Sequence, residues 1–326
     1  MNDSIITTDN SNIAELRSQY PDGLHFVVGD THGEWKTLEK LMDNILFDPA
    51  KDHVYFVGDY NDGGNVKLLL TYISRYYAAD YNAPGFHLIR GNHELYELYP
   101  EYALENLPEI IVVRGKEMNY YIAHAGMVSP VFDCINQDIK THPERNTSAY
   151  KLDEYSMRAD APFRQIIWSQ RGLYSQRSYW HVWPSGDKLL ENHACIIHGH
   201  TPYPYFIGRG YFSYGDNNLF WENQHIFFSE DLQGFDIDSN IKGVHWNGQT
   251  YRGLTCICLE VLDEIAKAGG GMLTTDGIRN SQNFVFYAEL AHSLPIGVHG
   301  DIGKVLDASP AMSFITADNH QFALIK

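Results

Sequence analysis

The stretch His25-Phe26-Val27-Val28-Gly29-Asp30-Thr31-His32-Gly33 is the first indication of fold class in this 326-residue chain. Its first four residues form a short, mainly apolar run that predicts a buried strand. The strand ends on Gly-Asp, and Asp30 and His32 stand two residues apart, so one turn can direct both side chains at a single ion. A strand that ends on potential metal ligands predicts a site at the carboxyl end of a sheet.

The same design returns further along the chain. Val54–Val57 and Phe86–Ile89 are apolar runs that also end on polar clusters, and the stretches Trp35–Leu46 and Val66–Tyr77 between the runs have helical spacing. The later clusters are Gly58-Asp59-Tyr60-Asn61-Asp62-Gly63-Gly64, Gly91-Asn92-His93-Glu94, His124-Ala125-Gly126 and His198-Gly199-His200-Thr201. Such alternation favours βαβ units, whose ligand sites lie beyond the carboxyl ends of the strands.

Aspartate, histidine and asparagine at several strand ends can surround a pair of divalent metal ions. Asp59 ends a strand beside the first cluster, and its two carboxylate oxygens can bridge two ions. Mixed oxygen and nitrogen ligands suit Mn, Fe or Zn better than Ca or Mg. Two such ions can activate a water and hold phosphoryl oxygens, while His93 is placed to protonate a leaving oxygen and Asp62 to orient its ring.

Together these motifs resemble the calcineurin-like metallophosphoesterases, and most of all the phosphoprotein phosphatase branch in its bacterial and phage form. That branch includes protein phosphatases and symmetrical dinucleoside tetraphosphatases. The resemblance covers about Phe26–Pro202 and, more weakly, Trp168-Ser169 and Phe235–Asp238. It implies an α/β (α+β) fold of two packed mixed β-sheets flanked by helices, with a dimetal site at the sheet edges.

The resemblance also implies roles for individual residues. The first metal would be held by Asp30, His32 and Asp59. The second would be held by Asp59, Asn92, His124 and His200. His93 would be the general acid, with Asp62 as its partner. The implied cofactors are two divalent metal ions, with Mn expected and Fe or Zn as alternatives.

The second cluster departs from the family pattern at a position that normally contacts substrate. The family sequence Gly-Asp-x-x-Asp-Arg-Gly would place arginine at position 63, where this chain has Gly63. Arginine binds phosphate oxygens through two parallel hydrogen bonds, which no other side chain reproduces well. Glycine is expected to open space there for a diester, a nucleotide or another bulky group. Arg171, after Trp168-Ser169, and Arg90 are the remaining candidates for substrate binding, with a structural salt bridge as the alternative for Arg90.

The expected function is therefore dimetal-dependent hydrolysis of a phosphoester by a metal-activated water, with His93 as general acid. One alternative is hydrolysis of a nucleotide polyphosphate or a phosphodiester. The other alternative is a metal-bound pseudophosphatase that binds a phosphorylated partner. Retention of His93 and of every implied metal ligand favours the enzyme.

Composition restricts the partners and the compartment. The net charge is −17 and no run of lysine or arginine stands out, which argues against a nucleic-acid or anionic-membrane surface. The N-terminus carries no apolar core of signal-peptide length, and no apolar stretch approaches the roughly 20 residues of a membrane span. The four cysteines show no Cys-x-x-Cys spacing and suggest no disulfide framework, so a reduced, cytoplasmic protein is expected. The expected partner is a phosphorylated substrate, as the resemblance implies.

The chain divides into three expected parts. Residues 1–20 are a polar N-terminal segment, and residues 21–262 form the metallophosphoesterase domain with an aromatic-rich loop insertion at about 203–235. Residues 263–326 are expected to be a strand-rich C-terminal extension that packs on the same domain. Leu254–Leu262 and Phe284–Leu290 are expected to be strands, and a helix is expected to begin at Glu94.

Overall fold

The computed structural model describes most of the region that carries the motifs. It describes residues 10–95, 99–152, 184–200, 218–221, 226–230, 233–239, 241, 244–246, 249–251, 253–281, 284–289 and 320–321. Arg171, Trp168 and Ser169 lie outside the described residues, as do 290–319 of the expected C-terminal extension.

Three parallel strands carry the first three clusters. They are β1 (His25–Val28), β2 (His53–Phe56) and β3 (Gly85–Leu88), connected by helices α2 (Trp35–Asn44) and α3 (Val66–Ser74). Helix α2 buries Leu38, Leu41 and Met42 against the sheet, and the Asn65 side chain caps α3 by accepting from the Leu68 N–H at 3.1 Å. The predicted βαβ alternation is confirmed, and it brings the carboxyl ends of β1, β2 and β3 to one edge.

Two further strands extend this sheet, one antiparallel to β1 and the next antiparallel to that strand. A second mixed sheet stacks on the first. The first sheet has the order β14-β13-β1-β2-β3, with β13 (Gly253–Cys258) and β14 (Val285–Glu289). The second has the order β15-β6-β4-β5-β7-β10-β9-β8. Its strands are β4 (Ile110–Arg114), β5 (Asn119–Ala123), β6 (Thr147–Lys151), β7 (Ala194–His198), β8 (Asn218–Trp221), β9 (Ile226–Ser229), β10 (Gly234–Asp236) and β15 (His320–Gln321). A separate hairpin consists of β11 (Val244–Trp246) and β12 (Gln249–Tyr251).

The remaining helices lie outside the two sheets or at their ends. They are α1 (Asn10–Gln19), α4 (Ser129–Thr141), α5 (Gly186–Glu191), α6 (Leu259–Ala268) and α7 (Thr275–Asn280). Three short 3₁₀ turns cover His93–Leu95, Pro100–Tyr102 and Leu104–Asn106. Among the described residues, no helix combines the length and the apolar character needed to cross a membrane.

Alternation of side chains on the strands produces a core of three layers. Val27 and Tyr55 of the first sheet and Ile122 and Ile197 of the second belong to one buried cluster between the sheets. A second cluster packs the outer face of the first sheet against α1, α2 and α3, and a third packs the second sheet against α4. Two packed mixed sheets flanked by helices confirm the predicted fold class.

Several expected boundaries are wrong. The run Leu254–Leu262 was expected to be one strand, but β13 ends at Cys258 and α6 begins at Leu259. Within α6 the buried side chains Leu259, Leu262 and Ile265 recur at helical spacing. The expected loop insertion at 203–235 contains strands β8, β9 and part of β10, and its residues 203–217 lie outside the described residues.

Two smaller expectations also change. The helix expected from Glu94 is a single 3₁₀ turn in the described residues, His93–Leu95. The segment expected to be merely polar at 1–20 forms α1 from Asn10, with Ile13 and Leu16 buried in the core. Arg17 of this helix pairs with the buried Asp52 at 2.6 Å. Of the expected strand Phe284–Leu290, β14 covers Val285–Glu289.

Candidate metal centre

Five clusters meet at the carboxyl ends of β1, β2, β3, β5 and β7. All six predicted metal ligands are buried there: Asp30, His32, Asp59, Asn92, His124 and His200. Glycine allows the clusters to approach each other closely. A Cβ added at Gly58, whose φ is +102°, would lie 2.6 Å from the backbone nitrogen of Gly91. The second and third clusters therefore pack backbone against backbone.

The first group of potential ligands is Asp30, His32 and Asp59. One ligand atom from each lies within 4.8 Å of the others. The His32 Nδ1 is 2.8 Å from the carbonyl oxygen of Asn61. Because a carbonyl can only accept, the ring proton lies on Nδ1 and the Nε2 lone pair is directed elsewhere. That Nε2 is 3.9 Å from Asp59 Oδ2.

The second group centres on His124. Its Nδ1 is 2.8 Å from the carbonyl oxygen of Val57, which again places the ring proton on Nδ1. Its Nε2 faces three further potential ligand atoms, and two of them, the oxygens of Asn92 and Asp59, have no proton to donate to it. These are Asn92 Oδ1 at 2.9 Å, His200 Nδ1 at 3.1 Å and Asp59 Oδ1 at 3.2 Å. Lone pairs that converge on one point repel each other unless a cation lies among them.

Other observations at the centre fit the same pair of cations. Asp30 Oδ1 is buried and has no hydrogen-bond partner. Burial, together with the nearby carboxylates Asp238 and Asp59, raises the pKa of Asp30 well above its usual range. Burial and the neighbouring His200 lower the pKa of His124 well below its usual range, which keeps the ring neutral and able to coordinate. The donor set therefore fits two divalent ions that share Asp59.

His93 and Asp62 lie at the open side of these groups. The His93 Nε2 is 3.7 Å from Asp59 Oδ2, and its Nδ1 is 3.5 Å from Asp62 Oδ2. The His93 side chain is 27% exposed and the Asp62 side chain is 58% exposed, in contrast to the buried ligands. The ring thus has one nitrogen toward the centre and the other toward a carboxylate, which is the arrangement predicted for an acid and its partner.

The backbone at this site is locally strained. Eight non-glycine residues in the described part of the chain have positive φ, and four of them are predicted site residues: His32, Asp59, Asp62 and His200. Each such conformation costs on the order of 1–3 kcal/mol and persists only where the surroundings enforce it. The concentration of strained residues at one sheet edge supports a functional role for that edge.

Glu94 holds the ligand loops together, a role that motif reading did not assign to it. Its carboxylate is buried and accepts four backbone N–H bonds. The donors are Asp59 at 2.8 Å, Tyr60 at 2.8 Å, Asn61 at 3.3 Å and Gly91 at 2.8 Å. Burial raises the pKa of Glu94, and these backbone donors act in the opposite direction. A glutamate three residues after a motif glycine was the only signal in the sequence.

Replacement of Glu94 by glutamine is expected to destabilise the protein and weaken metal binding. Glutamine would place an amide NH₂ against two backbone N–H groups that now share one carboxylate oxygen. Each buried donor left without a partner costs about 1–3 kcal/mol. Urea unfolding in chelator should therefore show a loss of about 2–5 kcal/mol. The exposed Glu101 provides a matched control, and equal stability of Glu94→Gln and Glu101→Gln would refute the assigned role.

The candidate substrate-binding residues are placed differently. Arg90 is 1% exposed, and its guanidinium pairs with the buried Glu109 and donates to the Glu105 carbonyl. These contacts favour the structural salt bridge for Arg90 over contact with substrate. Gly63 opens no space for a side chain, contrary to expectation, because a Cβ there would lie 2.0 Å from the His32 carbonyl oxygen. Arg171 lies outside the described residues.

Comparison with known proteins gives one family and several distant relatives. The model of the calcineurin-like phosphoesterase family matches residues 26–234. A symmetrical bis(5'-nucleosyl)-tetraphosphatase from Actinobacillus succinogenes is 27% identical over 132 residues, which is 33% of this chain and 46% of that protein. Proteins of the same name from Coxiella burnetii and Haemophilus influenzae are 34% and 25% identical, over 26% and 54% of this chain.

The matched segments span less than two thirds of each of these relatives: 46%, 26% and 65% of their lengths. Among solved structures, a protein serine/threonine phosphatase from Saccharomyces cerevisiae has a TM-score of 0.49 at 17% identity, covering 88% of this chain and 90% of that one. A protein described as a diadenosine tetraphosphatase has a TM-score of 0.41 at 17% identity, covering 73% and 89%.

Proposed function

The chain belongs to the calcineurin-like phosphoesterase family, and from this premise we propose that it hydrolyses phosphoesters at a dinuclear metal centre. The observation that carries the proposal is the pair of ligand groups that share Asp59. Asp30, His32 and Asp59 would hold one ion. Asp59, Asn92, His124 and His200 would hold the other. Mn²⁺ is the proposed metal, because mixed oxygen and nitrogen ligands suit Mn, Fe and Zn better than Ca or Mg.

The protein's own residues supply positioning and a proton. When bound, the two ions would supply Lewis-acid charge toward phosphate oxygens and a water nucleophile. The Asp62 carboxylate, 3.5 Å from His93 Nδ1, can hold a proton on that nitrogen and stabilise the charged ring. A second proton on Nε2, 3.7 Å from Asp59 Oδ2, then faces the ligand groups, where a leaving oxygen can accept it. His93 therefore acts as general acid, with Asp62 orienting it.

A direct test is hydrolysis of p-nitrophenyl phosphate and its bis-ester with Mn²⁺, compared with the same protein in chelator. We expect turnover of at least one ester only when metal is present. Bound metal without turnover on a broad panel of mono- and diesters would instead favour a binding protein.

Nucleotide polyphosphate hydrolysis is the second candidate, favoured by the name that the matched relatives share. The four cysteines lie among the described residues and are unpaired, which supports a proposed location in the reducing cytoplasm.

His93→Asn is expected to reduce kcat about a hundredfold or more while both metal ions remain bound. The reason is that His93 donates a proton without belonging to either ligand group, and general acids contribute about 10²–10⁴-fold. Steady-state kinetics and elemental analysis of the same preparation test this separation. His142→Asn, which changes a partly exposed histidine at the end of α4, is the control. Loss of metal from His93→Asn would contradict its role as an acid.

A further inference from the structure

The loop that contains Gly63 packs closely against the loop that contains His32. A Cβ at Gly63 would lie 2.0 Å from the His32 carbonyl oxygen, and one at Gly64 would lie 2.7 Å from the Gly33 carbonyl oxygen. The Asn65 N–H also donates to that Gly33 oxygen at 2.8 Å. The space that a side chain at position 63 would need is therefore filled by backbone. Gly63 packs directly against the backbone of His32. A cationic side chain at position 63 would therefore have to move His32, a predicted ligand.

The groups beside this glycine pair are acidic. Asp62 precedes it and exposes 58% of its side chain. Glu34 approaches from the other loop, with Oε1 2.8 Å from the position that a Cβ on Gly64 would take. Arg90, one of the two candidates for substrate binding, is buried with Glu109, and the other, Arg171, lies outside the described residues. Two carboxylates thus lie beside the Gly63–Gly64 pair, at the place in the sequence where the family pattern has arginine.

This arrangement is expected to favour one charge of the reacting phosphate over another. A monosubstituted phosphate has a second pKa of about 6 and carries nearly two negative charges at neutral pH. A disubstituted phosphate carries one. Without the arginine, a dianion loses charge-assisted hydrogen bonds worth about tenfold to a hundredfold in binding, and its second charge also faces the two carboxylates. In a diester, the second substituent converts one charged phosphate oxygen into an ester oxygen. That oxygen no longer needs the hydrogen bond that an arginine would donate.

Resting on the proposed hydrolase function, we propose that the preferred substrate is a phosphodiester, whose reacting phosphate is disubstituted and carries a single negative charge. Water adds to phosphorus and releases its protons to solvent, the bond from phosphorus to one ester oxygen breaks, and that oxygen leaves with a proton from His93, which solvent then replaces. The products are a phosphomonoester and an alcohol or phenol.

The test compares bis(p-nitrophenyl) phosphate with p-nitrophenyl phosphate on the Mn²⁺-loaded protein, because both release the same leaving group. We expect kcat/KM to be about tenfold or more higher for the diester. A preference for the monoester would overturn the inference and leave the proposed function intact, whereas hydrolysis of neither would overturn the proposed function. A dinucleoside tetraphosphate, whose internal phosphates are also disubstituted, forms the third arm. A clear preference for it over the diester would assign the site to phosphoanhydrides and overturn the diester proposal.

A charge-removing variant tests the electrostatic basis. Glu34→Gln is expected to raise kcat/KM for the monoester about threefold or more relative to the diester, because loss of a nearby negative charge favours the dianion about twice as much as the monoanion. Glu39→Gln, on the exposed face of α2, is the matched control. An unchanged ratio in Glu34→Gln, with thermal stability equal to that of the wild type, would overturn the electrostatic explanation.

Discussion

Asp59→Asn is expected to remove phosphoester hydrolysis and to release both metal ions. Asp59 belongs to both ligand groups, with one oxygen 3.2 Å from His124 Nε2 and the other 3.9 Å from His32 Nε2. Asparagine keeps one oxygen but replaces the other by an NH₂ group, which cannot coordinate and carries no charge. Metal ions contribute several kcal/mol to such reactions, so kcat should fall on the order of a thousandfold or more.

The stability of this variant separates loss of the site from loss of the fold. In chelator the wild type holds Asp59 and Asp30 close together in the interior without a cation, so removal of one carboxylate should leave stability equal or increased. Urea unfolding with and without Mn²⁺ checks this: metal should stabilise the wild type and not Asp59→Asn. Asp43→Asn, on the exposed surface of α2, is the control. Retention of metal-dependent stabilisation by Asp59→Asn would contradict the bridging role.

Gly63→Arg is expected to damage the site instead of restoring a phosphate contact. The Cβ alone would lie 2.0 Å from the His32 carbonyl oxygen, so the two loops must separate and His32 must move. Overpacking of this kind costs about 1–3 kcal/mol, and displacement of a ligand should lower hydrolysis of both ester types at least tenfold. Gly63→Ala should show the same direction, because its methyl group already meets the carbonyl oxygen.

The control for Gly63→Arg is an arginine at a glycine whose added Cβ would contact no other atom. Gly270 has no atom within 4 Å of an added Cβ and lies in the turn after α6, so Gly270→Arg tests the cost of its positive φ of +75° alone. Urea unfolding, metal content and kcat/KM for both esters should be measured for the three variants. A gain in monoester hydrolysis by Gly63→Arg at unchanged stability would show that position 63 can accept the family side chain.

The positions of the ligands could be predicted from sequence because they depend on topology. Parallel strands joined by helices bring their carboxyl ends to one edge, so Asp30, Asp59 and Asn92 must lie near each other once the alternation is recognised. The boundary inside Leu254–Leu262 could not be predicted in the same way. Cys258 and Leu259 are both buried, and hydrophobicity alone does not distinguish the end of a strand from the start of a buried helix.

The contacts that decide substrate choice were not readable from the sequence. Gly63 suggests open space when the residue is considered alone, but its surroundings are set by the backbone of a loop 30 residues earlier in the chain. Glu94 likewise looks like one more motif residue, and its role depends on four backbone N–H groups from two loops. Such close contacts between backbone segments depend on the tertiary structure, and the local sequence pattern contains little information about them.

A single Mn²⁺ titration of the metal-free protein, with metal stoichiometry and activity measured together, tests whether the centre is dinuclear. We expect two ions per chain in the wild type, with phosphoester hydrolysis appearing as both positions fill, and neither bound ions nor hydrolysis in Asp59→Asn. A wild type that binds fewer than two ions, or that hydrolyses esters equally well in chelator, would contradict the dinuclear centre.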